Sequence, residues 1–243
     1  MLKILFSPSE GKNVGGEKLQ KSELFGALAA RDEILEEYNK IILSGDEERI
    51  KNLFGMKKFV DCKPYIEDIF NAPLMSAIER YQGVAYDYLA FSELAADAQN
   101  YLKNNTLIFS NLYGVLLGGD KIANYKVKQG NAIGAIAPEK FYKERFSYQI
   151  DLYLSNAEVL DLRAGYYDKF YTITKPHTTL KFLKDGKSVS HWAKAYRGIV
   201  LKEIAKNSIT SLAEFASLEI DGLRVEEILT IKNKTQIVYA IDN

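Results

Sequence analysis

The stretch LKILF over residues 2–6, followed at once by SPSEGK over residues 7–12, decides the fold class of this chain. The apolar run predicts a short buried strand that ends at the Ser-Pro step. The polar residues behind it stand where a rigid scaffold normally presents functional groups. We therefore expect Glu10 and Lys12 at the exit of a buried strand, where they converge with side chains from neighbouring strand ends. The loop is not a Walker A phosphate loop, because its glycine spacing differs and Asn13 follows Lys12.

The rest of the chain alternates between helical and strand patterns. Apolar residues at helical spacing predict a long helix that begins at Ser22 as its N-cap and ends near Ile42, and Asp46 caps a second predicted helix. These patterns predict one α+β domain over residues 1–243, with a mixed β-sheet flanked by helices and a small helical excursion near residues 46–70. The other predicted helices cover residues 91–102, 139–148 and 190–206, the other predicted strands cover residues 106–110, 158–162 and 170–182, and predicted hairpins turn at residues 184–187 and 233–234.

Composition limits the classes of function. The chain has 243 residues, 32 basic and 32 acidic side chains, and a formal net charge of zero. A dedicated DNA-packaging protein carries a large positive excess, so any nucleic-acid contact must come from a local basic face. No stretch approaches the roughly 20 apolar residues of a membrane span, and the N-terminal apolar run is too short for a signal peptide. We expect a cytoplasmic protein with no membrane contact.

Few residues are suited to metal binding or nucleophilic catalysis. The chain has one cysteine, Cys62, and two histidines, His177 and His191, and their spacing matches no zinc or iron site. We therefore expect no metal and no cofactor. No nucleophile elbow or dinucleotide fingerprint is present, which favours a binding protein over an enzyme, although a Ser-His-Asp arrangement stays open. Cys62 is expected to be a small buried hydrophobe, with a redox-sensing thiol as the alternative.

The segment over residues 51–58 has the pattern of a helix-hairpin-helix element. A predicted helix breaks at Phe54-Gly55-Met56 and resumes at the basic pair Lys57 and Lys58. Such an element presents turn amides to a DNA phosphate, while its lysines add attraction without reading the sequence. Two packed helices joined by a tight turn explain the pattern equally well, because Lys57 replaces the usual second glycine.

Further cations lie on a glycine-rich excursion and on a late helix. Lys126 and Lys128 follow Tyr125, and basic residues interleaved with aromatic ones are typical of surfaces that stack on bases and neutralise phosphates. On the helix that begins at Ser190, Lys194 and Arg197 lie three residues apart and suit an anion. The structural alternative for the excursion is a polar loop, and the alternative for the helix is a solvated face.

An alternative hypothesis places a pocket for a small anion among these signatures. Asp161 and Arg163 alternate with apolar residues, so a strand directs both to one face, where they act as a site or as an ion pair. Acids and bases at element ends are what paired acid and base catalysis requires. The candidate anion-pocket residues are Glu10, Lys12, Tyr113, Asp120, Asp161, Arg163 and His191, joined by Lys194 and Arg197.

Taken in order, four signatures resemble the YaaA family of bacterial peroxide-stress proteins. They are SPSEGK at residues 7–12, FSNLYG at 109–114, DLRAGY at 161–166 and SHWAKAYRG at 190–198. The resemblance runs from Met1 to about Val225. It implies a role in peroxide resistance through limiting free intracellular iron, and a DNA-binding protein with a helix-hairpin-helix inside an α+β fold. The matching positions are Ser7, Pro8, Lys12, Leu112, Tyr113, Gly114, Val115, Asp120, Tyr167, Lys169, Ala193, Lys194, Arg197 and Gly198.

The chain departs from the family pattern at two places. Gly118-Gly119 stand where members often carry Arg-Pro, and Asn124-Tyr125-Lys126 replaces the usual Pro-Tyr-Arg. Lysine keeps the charge of arginine but not its bidentate geometry. The leading hypothesis is an oxidative-stress protein that binds duplex or branched DNA with low specificity through a local basic cleft. The expected contacts are Gly55, Lys57, Lys58, Lys126, Lys128, Lys194 and Arg197, and the alternative is an enzyme that acts on a small anionic or phosphorylated substrate.

Overall fold

A mixed eight-stranded sheet forms the centre of the structure, a computed structural model that describes residues 1–18, 24–26 and 28–242, without the side chains of residues 28, 190 and 191. Seven of its strands follow the order β11-β12-β9-β8-β1-β5-β6, and β10 pairs with β9. Neighbours from β12 to β5 pair in parallel, and β11, β6 and β10 pair antiparallel. The strands are β1 Leu2–Phe6, β2 Gly11–Lys12, β3 Leu74–Ser76, β4 Tyr81–Gln82, β5 Thr106–Ser110, β6 Gly114–Leu117, β7 Lys121–Ala123, β8 Glu158–Asp161, β9 His177–Lys184, β10 Lys187–Ser188, β11 Leu223–Ile231 and β12 Lys234–Ile241.

The first strand lies in the middle of the parallel region. Ile4 pairs with Thr106 of β5 on one side and with Leu160 of β8 on the other. Every residue of β5 is buried, as are all residues of β1 except Lys3. Continuous apolar runs are typical of parallel strands that are covered on both faces. The predicted mixed sheet and the α+β class are confirmed.

Helices cover the sheet and short segments of 3₁₀-helix connect them. The two longest described helices, Pro138–Leu154 and Ser190–Lys206, have 17 residues each, and the second packs along the short helix Val84–Leu89. The helices are α1 Asp32–Ile42, α2 Glu47–Phe54, α3 Ala77–Arg80, α4 Val84–Leu89, α5 Ala96–Asn105, α6 Pro138–Leu154, α7 Ser190–Lys206 and α8 Leu212–Ala216, and the 3₁₀ segments are Leu28–Arg31, Phe59–Tyr65, Phe91–Glu93 and Gly165–Lys169. Within the described residues, no helix is both long enough and apolar enough to cross a bilayer.

The carboxyl ends of the parallel strands meet at one edge of the sheet. The chain leaves β1 and returns to β5 on one side, and later returns to β8 on the other side. This reversal of strand order opens a crevice beyond the end of β1. The polar sequence signatures that follow β1, β5 and β8 all begin at this edge, so the topology brings them together.

Several predicted boundaries differ from the observed ones. The first long helix begins as α-helix at Asp32 after a 3₁₀ turn, and the predicted N-cap Ser22 lies outside the described residues. The predicted strand over residues 170–182 begins only at His177. The reason is that the carbonyl of Tyr171 accepts a hydrogen bond from the Arg163 guanidinium, which holds that segment in a loop.

The segment near residues 46–70 contains one α-helix and one 3₁₀-helix. The Asp46 side chain accepts a hydrogen bond from the Arg49 N–H, so the predicted N-cap of α2 is confirmed. Gly55 ends α2 in the left-handed region at φ 67°. The next element is the 3₁₀ segment Phe59–Tyr65, with Pro64 inside it, in place of the second α-helix that the pattern predicts. Proline lacks the N–H that an α-helix needs at this position.

Gly198 sets the distance between α7 and α4. A Cβ at this position would overlap the carbonyl oxygen of Ala85 and lie 2.9 Å from its carbonyl carbon. Both neighbours are backbone atoms, so the two helices touch main chain to main chain. This close approach places Lys194 and Arg197, on the same helix, over the crevice at the end of β1.

The substitution Gly198→Ala tests this contact. Alanine raises helix propensity by about 1 kcal/mol, but the overlap with Ala85 forces α7 away from α4, a cost typical of overpacking at about 1–3 kcal/mol. We expect a net loss of stability in urea unfolding. Gly165→Ala is the matched control, because nothing lies within 4 Å of a Cβ there. Equal midpoints for the two variants would contradict the close contact.

Candidate functional site

A cleft of about 410 Å³ lies beyond the carboxyl ends of β1 and β8, and we call it the strand-end cleft. Five segments wall it: the loop after β1, the start of α4, Gln129 in the segment that precedes α6, the loop after β8 and the side of α7 that carries two cations. Its size falls in the range of about 300–1,000 Å³ that is usual for small-molecule sites. The lining residues are Phe6, Ser7, Pro8, Ser9, Glu10, Gly83, Val84, Ala85, Tyr86, Gln129, Leu162, Ala164, Tyr167, Lys194 and Arg197.

Ser7 forms hydrogen bonds with two other walls of the strand-end cleft. Its Oγ accepts a hydrogen bond of 2.8 Å from the N–H of Ala164, in the loop after β8. Its carbonyl oxygen accepts a bond of 2.9 Å from the hydroxyl of Tyr86, on α4. These bonds fix the loop after β1 between two other elements, so the cleft is built on rigid supports.

Two cations of α7 line the cleft. Arg197 is half-buried and makes no hydrogen bond or ion pair with another described residue. Burial lowers the pKa of its guanidinium, and the nearby Asp161 carboxylate opposes that shift. Lys194 is exposed one turn earlier on the same helix. The two side chains therefore leave positive charge at the cleft that the described residues do not neutralise.

Asp161 and Arg163 form a buried ion pair beneath the cleft. The Asp161 carboxylate accepts bonds of 2.8 Å and 2.9 Å from Nε and Nη2 of Arg163. The remaining guanidinium nitrogen donates to the carbonyls of Tyr167 and Tyr171, at 3.1 Å and 3.0 Å. Phe109 covers the guanidinium plane at 4.5 Å. Arg163 thus shapes the loop after β8, while its own side chain is fully occupied.

Lys12 is buried below the loop after β1. Its Nζ lies 3.9 Å from the ring centre of Tyr125 and donates to the carbonyls of Ser9 and Glu10, at 3.2 Å and 3.3 Å. Burial, reinforced by the charges of Lys126 and Arg80, holds the pKa of Lys12 well below its usual value, and the Glu10 charge opposes this shift. Lys12 does not line the strand-end cleft itself. It fixes the two residues above it that do.

A chain of neutral hydroxyls adjoins Lys12. The Tyr81 and Tyr125 hydroxyls lie 2.9 Å apart, and the Tyr125 hydroxyl lies 2.8 Å from Oγ of Ser110. Burial raises the pKa of Tyr81 to about 12 and holds the pKa of Tyr125 well above its usual value. The phenols are therefore neutral at physiological pH, and Lys12 contacts the ring face of Tyr125 rather than its hydroxyl.

Glu10 stands at the mouth of the cleft. One carboxylate oxygen lies 3.5 Å from Nζ of Lys126, and the other accepts a bond of 3.4 Å from the N–H of Gln129. Lys126 is mostly covered and lies 5.8 Å from the ring centre of Tyr65. Glu10 and Lys126 therefore join the loop after β1 to the segment that precedes α6.

The other candidate residues of the anion pocket lie away from the cleft lining. Asp120 accepts hydrogen bonds from the N–H groups of Phe25 and Leu117, both at 2.9 Å, and burial raises its pKa. Tyr113 is buried, and its carbonyl accepts a bond of 2.7 Å from Nε of Arg31. The side chain of His191 lies outside the described residues. The structure therefore brings Glu10, Lys194 and Arg197 to the cleft, with Lys12, Asp161 and Arg163 beneath it.

A second, wider depression of about 840 Å³ lies beside the turn at Gly55, and we call it the basic groove. Among the described residues, each charged side chain that lines it is a cation. Arg49 and Lys51 face acids, Glu37 at 3.8 Å and Glu48 at 2.5 Å, whereas Lys57 and Lys128 form no ion pair with a described residue. The lining residues are Ile41, Arg49, Lys51, Asn52, Leu53, Gly55, Met56, Lys57, Lys128, Gly130, Asn131, Ala132 and Gly134.

The turn at Gly55 has the geometry that brings Lys128 to the groove. The N–H of Met56 bonds to the carbonyl of Lys51 and the N–H of Gly55 to that of Asn52, which is the Schellman arrangement. A Cβ on Gly55 would lie 2.9 Å from Cβ of Lys128. Glycine is therefore required here by its φ and by the side chain that lies across it.

One segment separates the strand-end cleft from the basic groove. Lys128 and Gly130 line the groove, and Gln129, between them, lines the cleft. The N–H of Lys128 bonds to the carbonyl of Leu53 at 3.0 Å. The candidate DNA contacts are therefore divided: Gly55, Lys57 and Lys128 lie at the groove, Lys194 and Arg197 lie at the cleft, Lys126 lies between the two, and Lys58 is exposed outside both linings.

The sequence does not predict several lining residues. Arg49 and Lys51 belong to the polar face of α2, and their spacing from Gly55 is a signal that could have marked them. Tyr86 carries no sequence signal, because only the packing of α4 on α7 brings it to the cleft. Tyr167 is among the positions that match the family signatures, so the resemblance points to it.

Metal-binding and thiol chemistry add little to either depression. Within residues 1–18, 24–26 and 28–242, no group of three or more His, Cys, Asp or Glu side chains is placed to hold a metal ion. Cys62 is buried, with its Sγ 3.7 Å from the carbonyl oxygen of Lys58. Burial raises the pKa of its thiol, so the neutral form is favoured over the thiolate.

The lowered pKa of Lys12 predicts a pH-dependent contribution to stability. Between the folded pKa and the unfolded value of about 10.4, the unfolded chain binds more protons at Lys12 than the folded protein does. Stability from this group therefore rises with pH across that window. We expect the free energy of unfolding of the wild type to rise relative to that of Lys12→Met between pH 7 and 9.5 in urea titrations. Lys140→Met, at an exposed lysine, is the control, and a pH-independent difference for Lys12→Met would refute the shift.

Breaking the buried ion pair should cost far more than breaking an exposed one. Arg163→Met leaves the Asp161 carboxylate uncompensated, and such losses are about 3–5 kcal/mol. Arg145→Met removes the exposed pair with Glu33, which has a shorter distance of 2.6 Å but should cost at most about 1 kcal/mol. Urea unfolding of both variants measures the difference. Similar losses would show that Arg163 does not organise the loop after β8.

Comparison with known proteins agrees with the sequence signatures. The profile described as "Peroxide stress protein YaaA" matches residues 2–229. An uncharacterized protein, Cj0984, of Campylobacter jejuni is 45% identical over 244 residues, which cover 99% of each chain. UPF0246 proteins of Fusobacterium nucleatum and Streptomyces coelicolor are each 27% identical, over 94% and 83% of this chain and 95% and 82% of theirs. With a profile match over almost its whole length, this chain belongs to the YaaA family of peroxide stress proteins.

Proposed function

We propose that this peroxide stress protein binds DNA without sequence preference and that the basic groove is the surface that contacts the phosphate backbone. The observation that carries the proposal is the charge of the groove: the charged side chains of its described lining are Arg49, Lys51, Lys57 and Lys128, all cations, in a chain whose net charge is zero. Cations concentrated on one face of a neutral protein attract a polyanion locally.

The chemistry of the groove fits phosphates better than base edges. Lys57 and Lys128 are exposed lysines, which attract phosphates as point charges and read no sequence. Gly55 carries no side chain, and the side chain of Lys128 lies across it within the groove. The helix that lines the groove beside this turn, α2, has only eight residues and packs its apolar face on the core. Because contacts to phosphates carry no sequence information, we expect similar affinity for different sequences and for duplex and branched DNA.

DNA binding would connect the groove to peroxide stress. We infer that the protein helps limit the damage that peroxide and free iron cause to DNA by occupying the DNA itself. Lys58, Lys126, Lys194 and Arg197 lie outside the groove lining, and their role as additional phosphate contacts is part of this proposal. Lys194 and Arg197 in the strand-end cleft also favour the second candidate, an enzyme that acts on a small anionic substrate.

The double variant Lys57→Glu, Lys128→Glu tests the proposal. With about four phosphate contacts, the logarithm of the wild-type binding constant should fall with the logarithm of salt concentration with a slope of roughly −3 to −4. Loss of two contacts should reduce the slope by about two and weaken binding on every sequence alike. Fluorescence anisotropy with labelled duplex and four-way DNA over a salt series measures both quantities.

Lys140→Glu is the matched control for charge reversal, because Lys140 is exposed on α6 and lines neither depression. It should bind DNA as the wild type does, within a factor of about two, since exposed charges away from the contact are largely screened. If the double variant also keeps the wild-type affinity and salt slope, the groove is not the DNA-binding surface.

A further inference from the structure

We propose that the strand-end cleft is a binding site for a phosphomonoester of nucleotide size, with Arg197 and Lys194 as the residues that hold the phosphate. This site is distinct from the basic groove, and its occupation does not require that the groove binds DNA. The cleft is enclosed by five segments of chain, whereas the groove is open and wide, so the two depressions suit ligands of different size.

The charges of the cleft suit a dianion. A phosphomonoester carries about −1.5 to −2 charges at pH 7, and the two cations of α7 that line the cleft carry +2. Arg197 is half-buried without a hydrogen-bonding partner among the described residues, although its guanidinium has five N–H donors. Asp161 lies near enough to act on it electrostatically, but the oxygens of that carboxylate already bind Arg163. A bidentate phosphate would accept hydrogen bonds from two of the donors of Arg197.

Hydroxyl groups add uncharged donors to the lining of the cleft. The Oγ of Ser7 accepts a bond from Ala164, which leaves its O–H free to donate to a ligand. Ser9 lies beside Gly83, because a Cβ added to Gly83 would lie 2.8 Å from the Oγ of Ser9. Gly83 also has φ 130°, so both its conformation and its contact with Ser9 require glycine. The lining of the cleft therefore combines serine hydroxyls with two cations.

The rest of the cleft fits an organic body attached to the phosphate. A volume of about 410 Å³ is far larger than an inorganic ion needs. Phe6, Val84, Leu162 and the rings of Tyr86 and Tyr167 supply apolar surface. Glu10, held at the mouth by Lys126, supplies an acceptor for ligand hydroxyl or amino groups. Apolar walls with a few convergent polar groups are the usual composition of a small-molecule site.

Isothermal titration calorimetry with deoxyadenosine 5′-monophosphate, deoxyadenosine and inorganic phosphate tests the proposal. We expect saturable binding of the monophosphate, competition by inorganic phosphate at higher concentration, and no binding of the nucleoside. Arg197→Gln should weaken binding at least tenfold, and Lys194→Gln, at an exposed side chain whose replacement should leave folding intact, should weaken it several-fold. Lys202→Gln on the same helix, outside the cleft lining, is the charge-matched control and should bind as the wild type does.

The phosphomonoester could be a free metabolite or the end of a DNA strand. A second titration compares a single strand with a 5′-phosphate and the same strand with a 5′-hydroxyl. Binding that requires the 5′-phosphate and Arg197, without binding of the mononucleotide, would identify a strand end as the ligand. If neither the mononucleotide nor the 5′-phosphorylated strand binds saturably, or if both bind Arg197→Gln and Lys194→Gln as tightly as the wild type, the proposal is wrong.

Discussion

The buried pair of Asp161 and Arg163 is the interaction on which the functional edge of the sheet depends. Removing two charges from water costs several kcal/mol per ion, and the attraction between them repays this only when further hydrogen bonds satisfy the remaining donors. Here the carbonyls of Tyr167 and Tyr171 complete the guanidinium shell. The loop after β8 therefore adopts the one course that brings both carbonyls to Arg163, and this course presents the N–H of Ala164 to Ser7.

The distribution of charge explains how a neutral chain can attract anions. Acids and bases are equal in number, yet many acids are committed to structural partners. Asp161 is bound by Arg163, Asp120 by two backbone N–H groups, and Glu10 by Lys126. At the two depressions Arg49 and Lys51 also face acids, whereas Lys57, Lys128 and Arg197 form no ion pair with a described residue. Each ion pair removes one charge of each sign, so the excess of positive charge is local and reflects where the unpaired cations lie.

The sequence predicts local structure well and the site only in part. Apolar runs identify β1, β5 and β8, and Asp46 and the Asp185-Gly186 turn are recognisable because their signals are short-range. The convergence of Glu10 with α7 follows from strand-end topology, which the pattern of strands suggests. The burial of Lys12 and the occupied state of Arg163 have no local signal, since tyrosines and carbonyls far along the chain create them. The 3₁₀ course after Gly55 depends on Pro64, whose effect a helical pattern does not show.

Hydrogen bonds hold the segment between Lys126 and Gly134 on both of its sides. The shapes of the strand-end cleft and the basic groove are therefore coupled through this segment. The N–H of Gln129 binds Glu10 at the mouth of the strand-end cleft, and the N–H of Lys128 binds Leu53 at the edge of the basic groove. Asn131 adds a bond of 2.5 Å from its side chain to the carbonyl of Asn52. Because consecutive residues are held by opposite walls, the segment cannot move toward one depression without loosening bonds at the other. The strand-end cleft and the basic groove therefore share this segment as a common wall.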